Sequence, residues 1–218
     1  MRTAAILPVK RFSRAKQRLG ASVADPLRLD LARAMVDDVL GALRDCTAIE
    51  RTVVVTSEEL LAATARSRGA IVVPDGPEDG QSAAVALGIA RARAEGAERV
   101  LCIPGDCPAL DPAELEALLA AELGADGSGA AVVIVPDRHG TGTNGLLLTP
   151  PDAIAPSFGP GSCERHHLLA RAAGASCRVE RPASLLLDID TGEDLVVLRK
   201  RLADEHERAP RTRAVLCP

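Results

Sequence analysis

Three aspartates carry the clearest chemical signal in the chain. The segment RVLCIPGDCPALD is an apolar run ending in Gly-Asp, which puts Asp106 at the carboxyl edge of the sheet that contains the run. LLLDIDTGEDL supplies Asp188 and Asp190, which alternate along an extended stretch and so point to one face. Carboxylates that share a face repel one another and are tolerated when a cation sits between them. Hard oxygen donors at a strand end suit magnesium. Asp106, Asp188 and Asp190 are therefore candidate ligands for Mg2+, against the plainer reading of solvated acids at two strand ends.

Cations and small-residue loops supply the complement. In LPVKRFSRAKQRLG, Lys10, Arg11, Arg14, Lys16 and Arg18 crowd into nine positions just past an apolar strand. A triphosphate must be neutralised before an anionic nucleophile can approach it, so Lys10, Lys16 and Arg18 are candidate catalytic cations. A solvated basic loop is the alternative. PDGPEDGQSAAVALG places Gly80, Gln81 and Ser82 at a helix start, where N–H groups and polar side chains can meet a nucleotide. HGTGTNG spells the dinucleotide-type glycine pattern, but GLLLTPP follows it and reads as a strand, so the match is a decoy. Thr143 is the candidate hydroxyl of that loop. FGPGSCERHHLLA then offers Gly159, Gly161 and Ser162 at another helix N-terminus suited to phosphate or carboxylate. His166 and His167, inside that helix, lack companions at ligand spacing and read as structural or exposed.

These residues need a scaffold that gathers them. Short β-branched runs alternate with helical patterns. Strands are expected at 3–9, 51–56, 70–73, 99–104, 130–135, 145–149, 176–181 and 185–189. Helices are expected at 26–43, 58–68, 82–94, 112–123, 162–173 and 193–207. Asp25 and Asp111 each precede a proline as N-caps, Thr56 with Glu59 fits a capping box, and Gly69 fits a helix end. The alternation predicts an α/β fold, with a mixed, mainly parallel sheet flanked by helices. Ligands in such sheets sit beyond the carboxyl ends of the strands, where all the unusual residues fall. One domain over 1–207 is expected, with 208–218 a flexible tail.

Composition narrows the function further. With 218 residues, 47% hydrophobic and 26% charged, the chain is globular. A net charge of -4 gives no general attraction to nucleic acid or anionic membranes. There is no Trp or Tyr, and only Phe12 and Phe158, so platforms for stacking single-stranded bases are missing. Both phenylalanines are expected to plug their loops onto the core. No apolar run approaches a membrane span or a signal peptide, which makes the cytoplasm the default expectation. Six cysteines without a CxxC read as reduced packing residues. No P-loop, GxSxG or HExxH motif occurs.

The ordered set LPVKRFSRAKQRL, GQSAAVALG, PGDCPAL, GTGTNGLLL with FGPGSCERH, and LLLDIDTGEDL resembles the CofC/FbiD family. These are guanylyltransferases of deazaflavin coenzyme F(420) biosynthesis with a compact, single-domain GT-A-like nucleotidyltransferase fold. The matching segments run from Ile6 to Leu195. The first loop carries lysines and arginines where the broader sugar-nucleotide transferases carry glycines. The resemblance implies that Asp106, Asp188 and Asp190 bind magnesium, and that Thr143, Gly159 and Ser162 hold the phosphorylated acid. It also implies GTP as donor, phosphoenolpyruvate or 2-phospho-L-lactate as acceptor, and a downstream transferase that uses the product. The alternatives are a transferase for another acceptor (3-phosphoglycerate, a sugar phosphate or a molybdopterin) and a catalytically silent nucleotide-binding protein.

Overall fold

The sheet alternates with its helices for most of the chain, in a computed structural model that describes residues 1–12, 19, 24–76, 79–121 and 129–216. The strands are β1 (Thr3–Val9), β2 (Arg51–Thr56), β3 (Ile71–Val73), β4 (Arg99–Cys102), β5 (Ala131–Pro136), β6 (Thr143–Thr149) and β7 (Ser176–Val179). The helices are α1 (Asp25–Asp45), α2 (Glu59–Ser67), α3 (Gln81–Ala94), α4 (Pro112–Ala120), α5 (Ser162–Ala172), α6 (Gly192–Asp204) and α7 (Pro210–Leu216). The strands form one seven-stranded sheet in the order β3-β2-β1-β4-β6-β5-β7. β6 runs antiparallel to both neighbours, β4 and β5, while the remaining pairs are parallel. This is the mixed, mainly parallel α/β sheet that the alternation predicts.

Strand periodicity splits the core between the two faces. Ala5, Leu7 and Val9 of β1 pack with α1, α2 and α4 residues such as Val36, Leu61 and Leu115. Ala4 and Ile6 face the other way, toward Val85 and Ile89 of α3. At Gly88 a Cβ would lie 2.4 Å from Ile6 Cγ2, so only glycine lets α3 approach β1 this closely. Gly105 plays the same part after β4: a Cβ there would stand 2.9 Å from Val36 Cγ2. Asp106 follows immediately. The cores are aliphatic, apart from Phe12, which is buried on the α1 side, and Phe158, which packs against the α3 side.

Some local signals act as expected and others do not. The Asp111 side chain accepts from the Ala113 N–H and caps α4. Gly69, at φ +81°, follows the end of α2, and the Ala70 N–H returns to Ala65 O. Asp25 opens the first turn of α1, whose N-cap is Ala24. The Thr56–Glu59 capping box does not form: Thr56 Oγ1 instead accepts from Glu58, the N-cap of α2. The 185–189 strand does not form either. A short 3-10 turn covers Ala183–Leu185, and the stretch after it is tied by Ile189 N–H to Asp106 O rather than by a ladder. The expected tail also needs correction. Residues 210–216 form α7, with Thr212 and Leu216 buried. The Asp38 carboxylate of α1 accepts from the Arg211 and Thr212 N–H groups, and Ala209 and Leu216 join the α6 core. A buried acid satisfying an otherwise orphaned helix start explains why this stretch does not fray. No helix among the described residues is long and apolar enough to cross a membrane.

Candidate active site

A cavity of about 600 Å³ opens at the carboxyl ends of β1, β3 and β4, and Lys10, Gly80, Gln81, Asp106, Thr143 and Gly159 line it. Ser162, Asp188 and Asp190 complete its wall. Six separate segments of the sequence thus meet in one space. Lys16 and Arg18 lie outside the described residues. Ser82 is not on the wall: its hydroxyl accepts from the Phe158 N–H at 2.8 Å and ties α3 to the 157–161 loop. Asp75, Asp137 and Asn144, which the sequence does not single out, also line the cavity, as does Phe158. Asn144 had a signal, since it follows Thr143 in the glycine-rich stretch. Asp75 and Asp137 look like ordinary loop acids until the fold brings them to the cavity.

The carboxylate edge is assembled by backbone and side-chain ties. Ile103 N–H donates to Ile6 O and holds the turn that leads to Asp106. Asn144 Nδ2 donates to Leu185 O, Leu186 O and Asp188 Oδ1, fastening the 185–188 stretch to β6. Asp190 is oriented by its own N–H, which donates to Asp194 Oδ2. That carboxylate completes a capping box with Thr191 at the start of α6, and its other oxygen pairs with Arg138 at 2.7 Å. Burial pushes the Asp188 carboxyl above its ordinary range, the Asp106 charge raises it further, and Asp190 adds to the shift against the opposing Asn144 hydrogen bond. Crowded, desolvated carboxylates of this kind form an electrostatic demand that a hard cation would meet, so the donor set fits magnesium. Among the described residues, no three or more His, Cys, Asp or Glu side chains are gathered closely enough to hold a metal ion by themselves. Magnesium does not require such a set, since it keeps waters and takes one or two carboxylates plus substrate phosphates.

The loops at 80–82 and 157–162 are built differently. Gly80, at φ +101°, is the N-cap of α3 and turns the chain so that the helix start faces the cavity. Gly161, at φ +72°, plays the same role for α5. The first α5 amides are already used, because Ser162 N–H donates to Gly159 O and Cys163 N–H to Thr141 O. What this loop still offers a ligand is the Ser162 and Thr143 hydroxyls rather than those amides. Thr143 Oγ1 lies 3.1 Å from His166 Nδ1, and Ser157 N–H donates to His166 Nε2 at 2.9 Å. His166 is fully covered, and burial, followed by the Arg165 charge, pushes its pKa down to about 4. Phe158 meets the His166 ring edge-on at 5.1 Å. Arg165 bonds Ser157 Oγ, Ser157 O, Phe158 O and Pro160 O. His167 is exposed, so both histidines take the structural or exposed roles expected of them.

Comparison with known proteins settles the family. The profile described as "Guanylyl transferase CofC like" matches residues 3–208. The chain belongs to the CofC-like guanylyl transferase family. It is 49% identical over 216 residues to "Phosphoenolpyruvate guanylyltransferase" of Conexibacter woesei, covering 99% of this chain and 96% of that protein. It is 36% identical to "3-phospho-D-glycerate guanylyltransferase" of Phenylobacterium zucineum over 88% of this chain and 87% of that one. The fold matches a candidate nucleotide-diphospho-sugar transferase from Desulfovibrio desulfuricans G20 with a TM-score of 0.75 at 18% identity, covering 99% and 94% of the two chains. The architecture of this family member is therefore the GT-A-like nucleotidyltransferase fold, and the chain is a nucleotidyltransferase.

Proposed function

We propose that the protein transfers GMP from GTP to the phosphate of phosphoenolpyruvate and releases pyrophosphate. The observation that carries this reading is the single cavity in which a carboxylate edge, a nucleotide-type helix start and a hydroxyl-lined acceptor loop meet, in a chain of a guanylyl transferase family. The kinship to the Conexibacter woesei protein, closer than that to the Phenylobacterium zucineum one, favours phosphoenolpyruvate over 3-phosphoglycerate. 2-Phospho-L-lactate presents the same phosphate and carboxylate and differs at one carbon, a distinction worth about 1–3 kcal/mol in a typical pocket.

In the proposed reaction a phosphate oxygen of the acceptor attacks the α-phosphorus of GTP in line. The new P–O bond forms as the bond to the β-phosphate bridging oxygen breaks, and pyrophosphate leaves with that electron pair. A phosphate monoester has a second pKa of about 6, so the nucleophile is ionised at neutral pH and no general base is needed. Catalysis then reduces to positioning two anions and offsetting their repulsion. Asp106, Asp188 and Asp190 would hold magnesium, which supplies charge neutralisation when bound. Lys10, with Lys16 and Arg18 of the same loop, would face the triphosphate. Gly80 and Gln81 would cradle the nucleotide, and Thr143, Gly159 and Ser162 the acid. The product is an activated mixed diphosphate, suited to a second transferase such as that of the deazaflavin coenzyme F(420) pathway.

An acceptor panel with GTP and magnesium, read by pyrophosphate release and product mass, tests this. A guanylylated enolpyruvyl product is expected to dominate. Dominance of the glyceryl or lactyl product would move the acceptor, and turnover with no phosphorylated acid would remove the reaction.

A further inference from the structure

The acceptor wall contains a hydrogen-bond chain whose direction follows from its chemistry. Ser157 N–H faces His166 Nε2 at 2.9 Å, and a backbone amide can only donate. Nε2 is therefore the acceptor and carries no proton. The ring is completely covered, sits edge-on to Phe158 and lies beside the Arg165 guanidinium, surroundings that keep it neutral. Its one hydrogen is then on Nδ1. At 3.1 Å from Nδ1, Thr143 Oγ1 must accept that hydrogen. The Thr143 hydroxyl keeps its own hydrogen, and among the described residues it has no second partner. Thr143 is 7% exposed and lines the cavity.

We propose that His166 is a positioning residue that makes the Thr143 hydroxyl a one-way donor to an anionic oxygen of the phosphorylated acid. The proposal rests on the acceptor reading above. A hydroxyl free to rotate would accept from a neutral, hydroxylated ligand as readily as it donates to a carboxylate or phosphate. With one of its two lone pairs taken by the His166 N–H, the hydroxyl must turn its own hydrogen away from His166, which biases it toward donating to the anion. The chain cannot easily reverse, because Arg165 grips Ser157 through both its side chain and its carbonyl and so holds the Ser157 N–H in place.

Two amide replacements separate this role from a merely structural one. His166→Asn puts an N–H donor near the Nδ1 position and leaves the Ser157 amide without its partner. His166→Gln reaches the Nε2 position, where its carbonyl can accept from Ser157, but it loses the donor to Thr143. His166→Gln and Thr143→Val are each expected to lower kcat/KM for phosphoenolpyruvate roughly 10- to 100-fold, the worth of a hydrogen bond to a charged group. KM for GTP should stay unchanged in both. His166→Asn should retain more kcat/KM for phosphoenolpyruvate than His166→Gln, and Thr143→Ser more than Thr143→Val, and the His166→Gln/Thr143→Val double variant should be no worse than Thr143→Val alone. The reverse order, with Asn impaired and Gln near normal, or full additivity in the double variant, overturns the proposal.

Imidazole 15N shifts of the wild-type protein read the tautomer with no substrate present. A protonated Nδ1 with a bare Nε2 at neutral pH is expected, and the opposite tautomer overturns the inference even if every variant fails to fold. Failure of the reaction reading has a different signature: wild type inactive on all phosphorylated acids, with the tautomer still as stated.

Discussion

At the carboxylate edge three acids face a common space, and Asp188 is held above the ordinary carboxylate range by burial and by its neighbour Asp106. At the 157–161 loop the polar groups are paired within the protein, through Arg165, His166 and Ser82. In the first region the buried Asp188 charge, beside Asp106 and Asp190, costs folding free energy. The second is organised beforehand by neutral and charge-assisted hydrogen bonds, and it stabilises the fold whether or not a ligand is bound. In the proposed reaction a recruited cation would serve the donor side, while the acceptor side would rely on groups the fold already positions. Mutations in the two regions should therefore separate activity from stability in opposite ways.

The largest effects belong to the charged edge. Asp106→Asn, Asp188→Asn and Asp190→Asn are each expected to lower turnover by about 100-fold or more while the fold persists. Asp188→Asn should also raise the Tm of the ligand-free protein. A carboxyl whose folded pKa is raised contributes stability that is lost as pH rises through that value, so at neutral pH its charge is a cost that Asn removes. Near-normal rates in any two of the three at saturating magnesium would sink the metal assignment. A lower Tm in Asp188→Asn would mean that the edge is structural. Magnesium itself should stabilise the wild type, by about 2.7 kcal/mol at a concentration 100-fold above Kd, and should not stabilise Asp188→Asn. Thermal melts across a magnesium series check this.

The acceptor wall should respond to acid with the opposite sign. The His166 pKa is pushed down to about 4, against about 6.5 for an unperturbed imidazole. A depressed folded pKa means that the stability is fully present above the unfolded value and is lost as pH falls toward 4. Urea unfolding of the wild type at several pH values should show a loss on the order of 3 kcal/mol across that window, absent in His166→Asn. Over the same window Asp188 is expected to offset part of the loss, so Asp188→Asn should be the more acid-sensitive protein. A wild type whose stability is flat from neutral pH to about 4.5 would show that His166 is not held as the geometry indicates.

The architecture was legible in the sequence because the strands are short apolar runs whose two faces are both buried, as in Thr3–Val9 and Arg51–Thr56. The placement of Asp106 followed from the same logic, since a buried strand ending in Gly-Asp delivers its carboxylate to the sheet edge. The 185–189 stretch misled because alternation puts Asp188 and Asp190 on one face whether or not a ladder forms. Here Asn144 and one backbone bond do the holding, and no local pattern announces them. Residues 208–218 read as a tail because their charge and prolines suggest exposure. The acid that caps α7, Asp38, lies on α1, far away in sequence. His166 was legible as a non-ligand histidine, but its link to Thr143 depends on a fold-level approach of α5 to β6.

Ser82 connects the two regions and tests whether they act independently. The sequence assigns it to the nucleotide, beside Gly80 and Gln81, yet its hydroxyl accepts from Phe158 N–H in the acceptor loop. If that bond is its main role, Ser82→Ala should cost about 1 kcal/mol of stability, the usual net worth of a neutral hydrogen bond. The loss should stay small because the bond is only partly buried and water can replace the missing acceptor. Its kinetic effect should fall on KM for the phosphorylated acid, since the freed amide loosens the loop that carries Phe158 and Gly159, and KM for GTP should change less. Ser82→Thr keeps the hydroxyl and should behave as wild type in both assays. A selective rise in KM for GTP would return Ser82 to the nucleotide. A rise in both constants together would show that the recruited and the built-in halves of the cavity are coupled through this one bond.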